Sequence, residues 1–150
     1  MVTKNWPLIS VYFAGSIKGG KACTENYPYI IELLKKHFIV LSEHLNRSHH
    51  QGEEPKKLSD VQIYERDINL IKKADFIIAE VTAPSHWVGY EIATATLVEQ
   101  KPVFLLYQKG TIISAILSGS IPQERIFQRE TKEDLATIIS EIAEIVYENN

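Results

Sequence analysis

From Asp75 to Val81 the chain reads DFIIAEV, with apolar residues at consecutive rather than alternate positions. A strand built from such a run has two apolar faces. Both can be buried only in the middle of a sheet covered by helices on each side, the usual setting of a parallel strand. The rest of the chain supplies partners of the same kind. Leu8–Ala14, Phe38–Ser42, PVFLLY and the weaker RIFQR read as strands, and each interval that is long enough reads as a helix. Thr24 is placed to cap a helix through ENYPYIIELLKKH, whose first turn tolerates Pro28. Ser59 and Gln62 form a capping-box pair that opens a helix to about Lys73. Further helices are predicted from about Trp87 to Gln100, over IISAILSG, and from Thr131 onward. In the last, Leu135, Ile138, Ile139, Ile142 and Ile145 recur at helical spacing. Five strands alternating with helices imply an α/β fold: a doubly wound, Rossmann- or flavodoxin-like five-stranded parallel sheet with helices on both faces.

The 150 residues suit one domain, and no repeat or linker divides them. With 45% hydrophobic and 23% charged residues the composition is that of an ordinary globular protein. The formal net charge of -3 and the lack of a basic block argue against a nucleic-acid polymer as partner. The single cysteine, Cys23, excludes an intrachain disulfide and fits a reducing compartment. MVTKNWPLIS lacks the apolar core of a secretion signal, and no apolar run reaches membrane-spanning length. The expected location is the cytoplasm, with the nucleus left open, and no membrane partner is expected.

Ligands of doubly wound sheets bind beyond the carboxyl ends of the strands. The loops Gly15–Cys23, Ser42–Leu58, Thr82–His86 and Gln108–Thr111 should therefore face one another. The first contains GSIKGG. Small residues there, at Gly15, Ser16 and Gly20, let backbone amides approach a ligand, and a helix follows; together with Ile17 and Lys18 they read as an anion cradle or, equally, as a flexible turn. The segment is neither G-x-G-x-x-G nor a P-loop.

Three other positions stand out. Asp67 lies three or four residues from Ile63, Tyr64, Leu70 and Ile71, which places a carboxylate on or beside a buried helical stripe. It is either a group with a shifted pKa or a stripe-edge acid paired with Arg66, Lys72 or solvent. Glu91 falls in the first turns of the helix near Trp87, where the helix end favours a carboxylate. It is a candidate nucleophile, although position alone favours a surface Glu held by the helix dipole. Tyr12 lies in the first strand, where packing suffices to explain it, while its hydroxyl could orient a carboxylate. Pattern alone does not assign Glu80 a role. His44, His49, His50 and His86 match no zinc spacing, so no metal is expected; His44 directly follows the second strand and is a candidate pocket residue.

In VYFAGSIKGG, LSEH, YERDINLIKKAD, IIAEVTAPSHWVGYEIATA and IISAI, the chain resembles the 2'-deoxynucleoside 5'-monophosphate N-glycosidases, relatives of the nucleoside 2-deoxyribosyltransferases. The segments run in the family's order from Val11 to Leu117. The resemblance implies a homodimer with shared sites, no cofactor, and cleavage of (deoxy)nucleoside 5'-monophosphates to free base and 2-deoxyribose 5-phosphate through a covalent glutamyl-sugar ester. It implies Glu91 as nucleophile, Asp67 as acid/base and Tyr12 as the residue positioning sugar and carboxylate. Ser16 and Ser85 match phosphate-holding hydroxyls, within a binding set that includes Gly15, Ile17, Lys18, Gly20 and Gly89. Ser114 matches a phosphate ligand lent by the neighbouring subunit, and His44 matches a residue bordering the base. Lys18 stands where the family often carries Arg, supplying a point charge without a bidentate fork. Alternatives on the same scaffold are a deoxyribosyltransferase, a ribonucleotide (CMP-type) N-glycosidase, and a non-catalytic nucleotide-binding module.

Overall fold

The computed structural model describes residues 8–17, 24–43 and 58–150. Five strands, β1 (Ser10–Gly15), β2 (Ile39–Val40), β3 (Phe76–Glu80), β4 (Val103–Gln108) and β5 (Ile126–Arg129), form one sheet in the order β2-β1-β3-β4-β5. Every pairing is parallel. The helices are α1 (Tyr27–Lys35), α2 (Asp60–Lys73), α3 (His86–Ala93), α4 (Ala115–Ser120) and α5 (Asp134–Glu148). This is the expected doubly wound α/β architecture. The order reverses between β1 and β3, which creates a crevice at their carboxyl ends.

Alternation along the central strands divides the core in two. Val11, Phe13, Phe76, Ile78, Phe104 and Leu106 pack on one face against α1 and α5. Tyr12, Ala14, Ile77, Ala79, Val103 and Leu105 pack on the other against Ile71 of α2 and Val88 and Ile92 of α3. The DFIIAEV run is buried throughout β3, as its two-sided hydrophobicity requires. By the same alternation Tyr12 shares a face with α2 and α3, while Glu80 turns to the opposite one.

Local chemistry sets some of the element boundaries. Ser59 caps α2 through Gln62 N–H, and the Gln62 side chain accepts from the Ser59 amide, completing the capping box. Pro28 sits in the first turn of α1, where its missing N–H costs nothing. That helix begins at Tyr27 with Asn26 as its N-cap, later than a Thr24 cap implies. The helix expected from Trp87 to Gln100 starts one residue earlier and changes character midway, from α3 to a π-helical turn over Thr94–Val98. In α5 the buried stripe is Leu135, Ile138, Ile139, Ile142, Ala143 and Val146, with Ile145 only partly buried.

Candidate active site

A pocket of about 900 Å³ opens at the β1/β3 crevice, between the turn after β1, the inner face of α2 and the start of α3. That is within the range, roughly 300–1,000 Å³, of small-molecule sites. Asp60, Asp67, Glu91, Ser16, Ser85 and His86 contribute polar groups, and Ile63, Ile68, Tyr64, Trp87 and Tyr90 much of its apolar wall.

Glu91 is the centre of the polar cluster. One turn into α3, it is only 3% exposed. The Tyr12 hydroxyl donates to its Oε1 over 2.5 Å, and the Trp87 indole N–H donates to the same oxygen over 2.9 Å. Burial pushes the Glu91 carboxyl up from 4.5 to about 7; the two hydrogen bonds oppose that rise, the Asp67 charge adds to it, and Arg66 counters it. The Tyr12 hydroxyl is driven well above the usual tyrosine range, first by burial and then by the Glu91 and Asp67 charges, so it remains a proton donor in this contact.

Asp67 is 4% exposed and faces the pocket from α2. Arg66 Nε donates to its Oδ1 over 2.7 Å, so the pairing read as an alternative from the sequence and the pocket-facing position are both present. The stripe itself differs from expectation. Tyr64 is 52% exposed, and only Asp67 and Ile71 are buried on α2. The physical reason is that α2 faces the pocket rather than solid core: Asp60, Ile63, Tyr64 and Asp67, at i, i+3, i+4 and i+7, form a wall of the cavity. Across it the Tyr64 and Tyr90 rings meet edge-on, with centroids 6.2 Å apart.

The rim turn has two functions. Ser16 and Ile17 line the pocket. Gly15 does not; a Cβ there would come within 2.6 Å of the Tyr27 ring, so its small size makes room for a core tyrosine. The Tyr27 hydroxyl then donates to the Ser16 carbonyl over 3.2 Å, tying the turn to α1. Ser85 caps α3 by accepting from Val88 N–H, and it also lines the pocket. Gly89 lies within α3, outside the lining, and a Cβ there would meet nothing within 4 Å. Ser114 is the N-cap of α4, solvent-exposed and away from this pocket. Lys18, Gly20, His44, His49 and His50 lie outside the described residues.

Glu80 is buried on the far face, where Thr82 donates to its Oε1 through both amide and hydroxyl. Burial raises its carboxyl above the usual range. Among the described residues no three metal-ligating side chains come together, and no helix is long and apolar enough to cross a membrane. Sequence reasoning missed Trp87, Tyr90, Tyr64 and His86 as pocket residues. The i, i+4 spacing of Trp87 and Glu91 was the available signal for the first of these.

The profile of the nucleoside 2-deoxyribosyltransferases matches residues 11–142. A protein of Nematostella vectensis named putative 2'-deoxynucleoside 5'-phosphate N-hydrolase 1 is 40% identical over 127 residues, covering 83% of this chain and 86% of its own. The 5-hydroxymethyl-dUMP N-hydrolase of Rattus norvegicus is 38% identical over 120 residues, covering 77% of this chain and 72% of its own. Among solved structures, the CMP N-glycosidase of Clostridium botulinum superposes with a TM-score of 0.64 at 17% identity, covering 87% of this chain and 98% of its own, a likeness of fold.

Proposed function

Because the chain belongs to the nucleoside 2-deoxyribosyltransferase family, we propose that it hydrolyses the N-glycosidic bond of 2'-deoxynucleoside 5'-monophosphates. The observation that carries this reading is the buried Glu91 carboxylate, held on one oxygen by Tyr12 and Trp87 in a pocket shared with a second acid, Asp67. Two carboxyl groups beside one cavity suit a reaction through an oxocarbenium-like state. The names of the relatives from Nematostella and Rattus point to the same bond and to a 5'-phosphate.

In the proposed sequence, the ionised Glu91 attacks C1' as the bond from C1' to the base nitrogen breaks. The two acids share one proton, and with Glu91 ionised Asp67 carries it and delivers it to the departing base. The product of this half is a sugar ester on Glu91. Asp67, now a carboxylate, takes a proton from water, which adds to C1' and displaces Glu91. The products are free base and 2-deoxyribose 5-phosphate, with both acids returned to their starting states. Tyr12 keeps the nucleophile aligned throughout.

The phosphate is assigned to the rim, where Ser16 lines the pocket and Ser85 caps the amino end of α3, a setting that favours an anion. A second copy of the chain completes the site. Exposed Ile112 and Ile116 flank Ser114, and Leu97 and Val98 stand out from the π-helical turn. Covering these apolar residues is the expected role of a dimer partner, and it would bring Ser114 of the partner subunit toward the phosphate. The protein is assigned to the cytoplasm on its single cysteine and composition.

Incubation with deoxynucleoside monophosphates, ribonucleoside monophosphates and the corresponding nucleosides, followed by assay of free base, tests the reading. Deoxynucleotides should react best and Glu91→Ala should abolish release. Equal kcat/KM for nucleosides and nucleotides, with transfer of sugar to an added base, would make the protein a transferase instead.

A further inference from the structure

Trp87 is a half-exposed tryptophan with its polar end turned inward. Its residue is 41% exposed, yet its indole N–H points at a carboxylate that is only 3% exposed. A tryptophan at a protein surface ordinarily keeps the ring against apolar neighbours and the N–H in or near water. Here the ring borders the pocket, and the N–H reaches the deepest acid in it. The contact is also directional. Tyr12 and Trp87 both donate to Oε1 of Glu91, and among the described residues nothing donates to Oε2.

We infer that Trp87 is a positioning residue for Glu91: with Tyr12 it clamps Oε1 and leaves Oε2 as the atom that attacks the sugar. The inference rests on the reading of Glu91 as nucleophile. Two donors arriving from different elements, β1 and the first turn of α3, fix both the rotation and the direction of the carboxylate plane. One donor would leave it free to turn about the remaining hydrogen bond. The lone pairs of Oε1 are engaged, while those of Oε2 remain available to form the bond to C1'. Both donors favour the charged form of Glu91, which is the form that attacks. The inward N–H has a second consequence. A substrate that covers the exposed part of the indole removes water from the Trp87–Glu91 hydrogen bond and strengthens it, so the clamp tightens when the site is filled.

Trp87→Phe keeps an aromatic wall and deletes only the donor. A wall that merely packs would lower kcat/KM by one factor at every pH. A donor to the nucleophile shifts the pH dependence. The acid limb of the kcat/KM profile, set by Glu91 at about 7, should move upward by about one pH unit. The deficit at pH 6 should be roughly ten-fold larger than at pH 9, where the carboxylate is ionised with or without the donor. The substrate phosphate titrates near pH 6 but does so identically for both enzymes, so the difference between them isolates Glu91.

A second readout needs no turnover. The chain has two tryptophans, so Trp6→Phe leaves Trp87 as the sole indole. Its emission should titrate with the Glu91 midpoint, and the titration should vanish in Trp6→Phe/Glu91→Gln. Emission that is flat from pH 5 to pH 9, or an acid limb unmoved in Trp87→Phe, overturns the inference. If the emission titrates but the unaltered protein releases no base from any nucleotide, the clamp stands and the reading of the reaction falls.

Discussion

Tyr12 and Glu91 lie 79 positions apart and meet through a hydrogen bond of 2.5 Å. The contact exists because β1 places Tyr12 on the sheet face that α3 covers, and because one turn of α3 turns Glu91 back toward that face. Removing the hydroxyl in Tyr12→Phe keeps the ring in its core position and takes one donor from the buried carboxylate. A hydrogen bond to a charged group contributes about 1.5–3 kcal/mol. Turnover at neutral pH should therefore fall about 10- to 100-fold, with the acid limb of the profile moved to higher pH. A variant with unchanged kcat and an unmoved limb would show that the contact plays no part in the chemistry.

Glu91 should also leave a mark on stability. Folded, its carboxyl keeps a proton up to about pH 7; unfolded, only to about 4.5. Between those values the folded state holds more protons, so stability falls as pH rises. The favourable contribution is complete below pH 4.5 and lost once pH passes 7, a change of about 3 kcal/mol. Denaturant unfolding of the protein and of Glu91→Gln at both ends of this window measures it. The protein should lose stability relative to the variant across the window, and a constant difference would refute the raised carboxyl. The Glu80 contribution is common to both and cancels.

Asp67→Asn should lower base release by about 10²- to 10⁴-fold, the usual worth of a positioned acid or base. The deficit should shrink for substrates whose base departs without protonation, because only the leaving-group half of the role is then bypassed. Comparing a natural nucleotide with one bearing an activated base checks this. The same loss on both would assign Asp67 to binding or to the second half of the reaction.

Two glycines that the family resemblance offers as binding residues should respond in opposite ways. In Gly15→Ala the new methyl meets the fully buried Tyr27 ring at 2.6–2.9 Å, so thermal unfolding should show a loss of roughly 1–3 kcal/mol. In Gly89→Ala the methyl enters open space inside α3, and the helix should gain about 0.5–1 kcal/mol. If Gly89 touches substrate, that variant combines a raised Tm with lowered activity. Raised Tm with intact activity would remove Gly89 from the binding set.

Much of the scaffold is legible in the sequence because it depends on local signals. The DFIIAEV run, the Ser59–Gln62 box and the spacing of Leu135, Ile138, Ile139 and Ile142 each report a burial or capping requirement met within a few residues. The readings that shifted were those where local signals competed. Thr24 and Asn26 are both polar residues ahead of α1, and the helix starts after the later one. Tyr64 has the spacing of a core residue, but the stripe it belongs to faces a cavity.

Sequence alone determined the order of the elements, the parallel sheet and the resemblance that named Tyr12, Asp67 and Glu91 together. Periodicity and capping are properties of neighbouring residues, so they survive without a fold. Tertiary structure decided how those residues act on one another. It put the Tyr12 and Trp87 donors on a single oxygen of Glu91, paired Asp67 with Arg66, gave Gly15 to the packing of Tyr27 and left Ser114 exposed on α4. Hydrogen bonds and desolvation depend on distances of a few ångströms between residues far apart in the chain, and only the packing of strands and helices fixes those distances.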